Sequence, residues 1–143
     1  MGVFKDSQQL YDTVGELLSR AALDPDIGSS VVRTEIVIQF RYTDPEAQIT
    51  LNAKDPPTQP EVYFDVLYGP SDLSPDVVMT SPADLAHAFW QGRINLFSAL
   101  ARGQIIATGQ IAPVLRLIPV VGPMYQWYVT LLREHGLTDL ISK

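Results

Sequence analysis

Few side chains in this sequence are suited to metal or acid–base chemistry, and they lie far apart. The chain has two histidines, His87 and His135, and no cysteine. Neither histidine has a second histidine or a cysteine three or four residues away, the spacing that brings metal ligands together on one helix face. The sequence therefore predicts no metal site.

One residue could serve as a general base. His87 follows Asp84 by three residues in a predicted helix, so the carboxylate could orient the imidazole. A small enzyme that acts on a lipid-like substrate, with His87 or Tyr125 as acid or base, is therefore one hypothesis. The chain has no Gly-x-Ser-x-Gly elbow, and residues 103–109 lack the Gly-Lys-Ser/Thr ending of a phosphate loop. We favour a protein with no catalytic residue and no cofactor.

Composition limits the remaining classes of function. The chain has 143 residues, 46% hydrophobic and 18% charged, so we expect one domain over residues 1–143. A net charge of −6 with only 10 scattered Lys and Arg residues argues against a nucleic-acid partner. Because the chain lacks cysteine and its first residues lack a signal-peptide pattern, we expect a cytoplasmic protein.

The N-terminal region predicts an amphipathic helix. Residues 4–22 place apolar side chains at helical spacing, with acidic and amide side chains on the other side. Asp24-Pro25-Asp26 is expected to end this helix.

Alternating apolar and polar residues predict strands over residues 31–42, 48–54 and 61–68. The connections are short, so we expect an antiparallel meander with one wet face and with helices on the other face. Residues 76–80 predict a short fourth strand.

Capping signals organise the next region. Ser81 as N-cap and Pro82 as the first helical residue predict a helix that ends at Gly92. The elements predicted after it are a short helix from Asn95 to Gly103, a strand over residues 104–108 and a helix through residues 114–118.

Residues 111–132 carry one formal charge, Arg116, and are long enough to span a bilayer. Prolines at 113, 119 and 123 interrupt the run, so we expect no stable membrane insertion. Apolar residues then recur at helical spacing from Met124, which predicts an amphipathic helix over residues 124–133 that acts as a lid.

The spacing Gly92-x10-Gly103-x5-Gly109, with a short apolar strand between the last two glycines, resembles the centre of the sterol carrier protein-2 (SCP2-like) lipid-binding family. Members of that family carry a glycine, an apolar helix, Gly-x-Ile-x-Ile-x-Gly and an amphipathic helix. The resemblance implies an α+β fold: a mixed, mainly antiparallel five-stranded sheet with helices covering one face. It also implies non-enzymatic binding of a fatty acyl, sterol-like or isoprenoid ligand.

The resemblance places an apolar tunnel between the sheet and the C-terminal helices. The candidate lining residues are Phe40, Phe64, Phe89, Leu96, Phe97, Leu100, Ile106, Leu115, Ile118, Met124, Trp127 and Leu131. The candidates for contact with a polar head group at the mouth are Gln104, Gln110, Arg116 and Tyr125.

Two other readings of the apolar residues stay open. The side chains could interlock in a filled core and leave no cavity. Alternatively, the apolar surface of residues 111–132 could dock another protein or form a homodimer.

Overall fold

In the computed structural model, which describes residues 2–141, helices cover one face of a five-stranded sheet. The helices are α1 Ser7–Leu10, α2 Glu16–Ala21, α3 Pro25–Val32, α4 Ala83–Trp90, α5 Leu96–Ala101, α6 Ile111–Leu115 and α7 Gly122–Glu134. A π-helical segment, Tyr11–Gly15, joins α1 to α2, and a 3₁₀ turn, Thr138–Leu140, follows α7. The strands are β1 Val37–Thr43, β2 Ala47–Asn52, β3 Asp65–Tyr68, β4 Val77–Pro82 and β5 Ile106–Gly109.

The sheet is mixed, with the strand order β3-β2-β1-β4-β5. The predicted meander is confirmed, because β1 pairs antiparallel with β2 and β2 with β3. β4 is antiparallel to β5 but parallel to β1, and the sequence did not predict this parallel pairing. Residues 69–76 carry the chain back past β2 and β1, and no local pattern encodes that path.

The N-terminal helix is confirmed over residues 7–21, but the next element was predicted wrongly. Residues 25–32 form α3, whereas the sequence predicted a turn and the start of a strand. Asp24 caps this helix by accepting hydrogen bonds from the N–H groups of Asp26 and Ile27 at 3.1 and 2.8 Å. An aspartate followed by proline is a helix start signal, so the sequence contained the evidence for α3.

The face of β1 predicted to be wet is largely covered. Val37 and Gln39 are each only 2% exposed. Gln39 Nε2 donates to Thr50 Oγ1 at 3.2 Å, and Arg41 Nε donates to Gln39 Oε1 at 2.7 Å. Because β1 has a neighbouring strand on each side, adjacent side chains cover this face and form hydrogen bonds with the Gln39 amide.

Helix α4 starts one residue later than predicted and has a different cap. Pro82 occupies the N-cap position without a side-chain hydrogen bond, and Ser81 stays in β4. The Asp84 carboxylate accepts a hydrogen bond from the Val3 N–H at 2.9 Å. Asp84 therefore ties the N-terminus to α4.

Gly109 allows β5 to approach β4 closely. Its φ is +95°, and a Cβ at this position would collide with the backbone carbonyl oxygen of Asp76. That carbonyl accepts a hydrogen bond from the Gln110 N–H at 2.8 Å, while the Asp76 carboxylate accepts one from the Val37 N–H at 2.8 Å. Asp76 thus joins three segments where β4 begins.

Candidate functional site: an apolar cavity

A cavity of about 120 Å³ lies between the sheet and the helices. The sheet contributes side chains from β1, β2 and β4: Ile38, Phe40, Tyr42, Leu51, Met79 and Ser81. The N-terminal helices contribute Leu18, Ala21, Ile27 and Val31. The second half of the chain and the segment before β3 contribute Phe64, Leu85, Ala86, Phe89, Trp90, Leu96, Ile105, Val114, Leu117, Ile118, Val121 and Met124.

The wall of the cavity is almost free of polar side-chain atoms. In the described part of the chain, no charged residue lines it. The side-chain oxygen and nitrogen atoms among the lining residues belong to Tyr42, Ser81 and Trp90. Such a surface favours an apolar guest, because an ion would lose its hydration without a charged partner.

The structure brings together six of the residues predicted from the sequence to bind the ligand. Phe40, Phe64, Phe89, Leu96, Ile118 and Met124 all line the cavity. The other predicted residues lie outside its lining: Phe97, Leu100, Gln104, Ile106, Leu115, Tyr125, Trp127 and Leu131.

Their positions explain why they do not reach the cavity. Phe97 and Ile106 are 55% and 59% exposed, whereas Leu131 is fully buried in the core. Ala107 pairs with Met79, a lining residue, so its neighbour Ile106 lies on the opposite face of the sheet. Leu100, Leu115 and Trp127 are partly buried and pack against the core.

Sequence reasoning missed the contribution of the N-terminal helices to the cavity. Leu18 and Ala21 lie on the apolar stripe predicted for the first helix, and Ile27 and Val31 belong to the unpredicted α3. The row of apolar residues along this helix indicated that it packs on the sheet, but it did not indicate that the helix lines a cavity.

The residues proposed for a polar head group lie away from the cavity. Gln104, Gln110 and Arg116 are exposed. The ring of Tyr125 packs against Phe89 and against the Trp90 side chain, with centroid distances of 5.9 and 6.2 Å. Tyr125 therefore supports the wall from behind.

Residues 111–121, the segment before α7, form part of the cavity wall, and Met124 of the helix predicted as a lid also lines it. Residues 111–121 contribute Val114, Leu117, Ile118 and Val121 to the wall, and most of their apolar neighbours are only half-buried. In α7, by contrast, the buried face is anchored in the core by Met124, Tyr128, Leu131 and Leu132. Loosening α7 would expose that core.

His87 is fully buried and has protein partners on both ring nitrogens. Nδ1 lies 2.7 Å from the hydroxyl oxygen of Tyr128, and Nε2 lies 2.8 Å from the carbonyl oxygen of Leu140. Burial lowers the pKa of His87, which favours the neutral imidazole. His87 does not line the cavity, so this geometry offers no base to a ligand bound there.

Two other kinds of site are absent from residues 2–141. No group of three or more His, Asp or Glu side chains there is placed to hold a metal ion. None of the helices in that range combines the length and the hydropathy needed to cross a bilayer.

The fold has close counterparts among solved structures. The sterol carrier protein domain 2 of Helicoverpa armigera matches with a TM-score of 0.61 and 18% identity, over 81% of this chain and 91% of its own. Sterol Carrier Protein 2 of Yarrowia lipolytica, in its apo form, matches with a TM-score of 0.57 and 14% identity, over 79% of this chain and 87% of its own. The ubiquinone synthesis protein UbiJ-SCP2 matches with a TM-score of 0.54 and 15% identity, over 80% and 91%.

No protein-family profile matches the sequence, and no curated protein matches it. The structural similarity therefore identifies the fold: this chain is an α+β protein with an SCP2-like fold.

Proposed function

We propose that this protein binds a hydrophobic, lipid-like molecule in the apolar cavity and carries it without chemical conversion. The observation that carries the proposal is the composition of the cavity wall: apart from Ser81, its side chains are aliphatic or aromatic, and no charged residue lines it within the described part of the chain. The SCP2-like fold supports the same conclusion. We further propose that residues 1–143 act as one lipid-binding domain in the cytoplasm.

Burial of hydrocarbon supplies enough free energy for such binding. Each methylene removed from water contributes about 0.8 kcal/mol, so ten contribute about 8 kcal/mol, comparable with an association cost of ~4–15 kcal/mol. A fatty acyl, sterol-like or isoprenoid molecule has this much apolar surface.

A ligand longer than the cavity needs more room than the wall leaves. The cavity of about 120 Å³ is similar in size to a cavity of roughly 150 Å³ that holds benzene, so it takes only a short hydrocarbon segment as it stands. Most apolar side chains of residues 111–121 are half-buried, and the segment consists of the five-residue helix α6 followed by a turn, with two prolines. We propose that this segment moves outward to admit a longer chain.

Native mass spectrometry of freshly purified protein tests the proposal. We expect a bound apolar mass that organic extraction removes. Trp90 lines the cavity and Trp127 does not, so in the Trp127→Phe variant Trp90 fluorescence should report rebinding of the extracted lipid. The proposal fails if no mass is bound and if no fatty acid, sterol or isoprenoid alcohol changes that fluorescence.

A homodimer is a second candidate role for the same region. The half-buried apolar side chains of residues 111–121 form a surface that a second copy could cover. Light scattering distinguishes the two roles, because a constitutive dimer through this segment would hold the cavity closed to ligand.

A further inference from the structure

Tyr42 and Ser81 lie next to each other on the cavity wall. They are partners in the parallel register of β1 and β4, and both line the cavity. Residues paired in this way on adjacent strands, about 4.8 Å apart, present their side chains on the same face of the sheet. Two hydroxyl groups are therefore adjacent on a wall whose other polar side-chain atom, among the described lining residues, is the indole nitrogen of Trp90.

Neither hydroxyl has a hydrogen-bond partner across residues 2–141. No side-chain oxygen or nitrogen in that range is both buried and unpaired, so each of the two hydroxyls keeps some accessible surface, although Tyr42 is only 6% exposed and Ser81 is half-buried. Other buried polar side chains are paired: His87 lies 2.7 Å from the Tyr128 hydroxyl, and Gln39 donates to Thr50 at 3.2 Å. Because both residues line the cavity, their accessible, unpaired hydroxyls are available to hydrogen-bond a polar group of its ligand.

We infer that Tyr42 and Ser81 form the polar end of the cavity and hydrogen-bond the hydroxyl or carbonyl oxygen of a neutral lipid. This inference rests on the proposed function, because it specifies the chemistry of the ligand held in that cavity. Its residues differ from the exposed side chains that the sequence suggested for a head group.

The chemistry of the two groups favours a neutral oxygen over a carboxylate. Each hydroxyl can donate one hydrogen bond and can also accept, so the pair matches an alcohol, an ester or a ketone. Burial raises the pKa of Tyr42, which keeps the phenol protonated as a donor. With no cation among the described lining residues, a carboxylate would lose its hydration without compensation.

Competition with ligands of one chain length tests this inference. The test measures displacement of the neutral fluorescent probe N-phenyl-1-naphthylamine, both from the full chain and from its Tyr42→Phe/Ser81→Ala variant. The competing ligands are dodecane, 1-dodecanol, methyl dodecanoate and dodecanoate. For each protein we take the ratio of its affinity for dodecanol to its affinity for dodecane. The hydration of the free ligands is the same in both experiments, so it cancels when the two ratios are compared. We expect that ratio to fall about three- to tenfold in the variant, as for loss of one or two hydrogen bonds, with a similar fall for methyl dodecanoate.

Tyr125→Phe is the matched control, because it removes a phenolic hydroxyl outside the cavity lining. An unchanged affinity ratio in the double variant overturns the inference. A fall in the ratio that occurs only in a Trp90→Phe variant also overturns it, because the polar contact would then belong to the indole. Tight binding of dodecanoate also overturns it. The single variants answer the same question if circular dichroism shows the double variant to be unfolded. If none of the four ligands displaces the probe from the unsubstituted protein, the proposed function itself fails.

Discussion

The hydroxyl oxygen of Tyr128 lies 2.7 Å from Nδ1 of His87, and both side chains are fully buried where α4 meets α7. The carbonyl oxygen of Leu140, 2.8 Å from Nε2, can only accept a hydrogen bond, so Nε2 carries the proton. The Gln91 side-chain amide nitrogen, 3.1 Å from Nε2, donates instead to the His87 carbonyl oxygen at 3.3 Å. Nδ1 therefore accepts from Tyr128. This pair links α4, α7 and the C-terminal 3₁₀ turn, and its role is structural.

Removing the Tyr128 hydroxyl should destabilise the protein. Tyr128→Phe leaves the buried Nδ1 of His87 without a donor, so we expect a loss of about 1–3 kcal/mol in the free energy of unfolding, measured with urea. In Tyr125→Phe the lost hydroxyl has no hydrogen bond within residues 2–141, and we expect a change below about 0.5 kcal/mol. Equal losses in the two variants would contradict the pairing.

Stability should fall as the pH drops below about 6.5, the ordinary pKa of histidine. Desolvation lowers the pKa of His87 in the folded state, so below that pH the unfolded chain binds the extra proton and the folded one does not. The free energy of unfolding should then fall by up to about 1.4 kcal/mol per pH unit until the folded-state pKa is reached.

The NMR signal of the His87 ring, followed from pH 7.5 to 5, checks this prediction together with urea unfolding at each pH. The His135→Gln variant leaves His87 as the one histidine of the sequence, so its ring signal is assigned without ambiguity. Asp76 does not interfere, because hydrogen bonds from Lys54 and Val37 lower its pKa and its contribution is lost only below about 3.8. Titration of His87 at or above its ordinary pKa would refute the prediction.

Two glycines with positive φ should respond differently to a methyl group. Gly109→Ala would place a Cβ against the Asp76 carbonyl, whereas Gly103, with φ +71°, has no atom within 4 Å of that position. We expect Gly103→Ala to cost about 1 kcal/mol for its backbone conformation, and Gly109→Ala to cost clearly more because β5 must also move away from β4. Thermal unfolding of both variants measures the difference, and similar losses would argue against the close contact.

Filling the cavity should block ligand binding without unfolding the protein. Ala86 lines the cavity, so Ala86→Leu would occupy space for about three methylenes and should weaken dodecane binding more than about tenfold. Ala88, in the same helix, lies outside the lining, so Ala88→Leu should leave the affinity unchanged. Unaltered binding by the Ala86 variant would place the ligand elsewhere.

Local signals predicted much of the secondary structure. Asn95 was predicted to start a helix, and its side chain accepts a hydrogen bond from the Ser98 N–H at 3.0 Å at the start of α5. The alternation through Ile49 and Leu51 correctly predicted that these residues of β2 are buried, at 0% and 4% exposed, but the intervening Thr50 is buried as well. Caps and periodicity depend on residues close in sequence, so the chain displays them directly.

The candidate site was predictable only in part. The apolar character of Phe40, Phe89 and Met124 showed that these residues face the interior, and they do line the cavity. Phe97 and Leu131 are equally apolar, yet one is exposed and the other is enclosed in the core. Hydrophobicity indicates that a side chain prefers burial but does not say which neighbours surround it.

By itself the sequence predicted an α+β chain with a buried sheet face. It also showed the spaced glycines, the two histidines and the lack of cysteine. Only the tertiary structure decided that β4 lies parallel to β1, that the N-terminal helices border the cavity, and that Tyr42 stands beside Ser81. These relationships join residues far apart in the chain. They depend on how whole elements pack against one another, which the periodicity within each element does not specify.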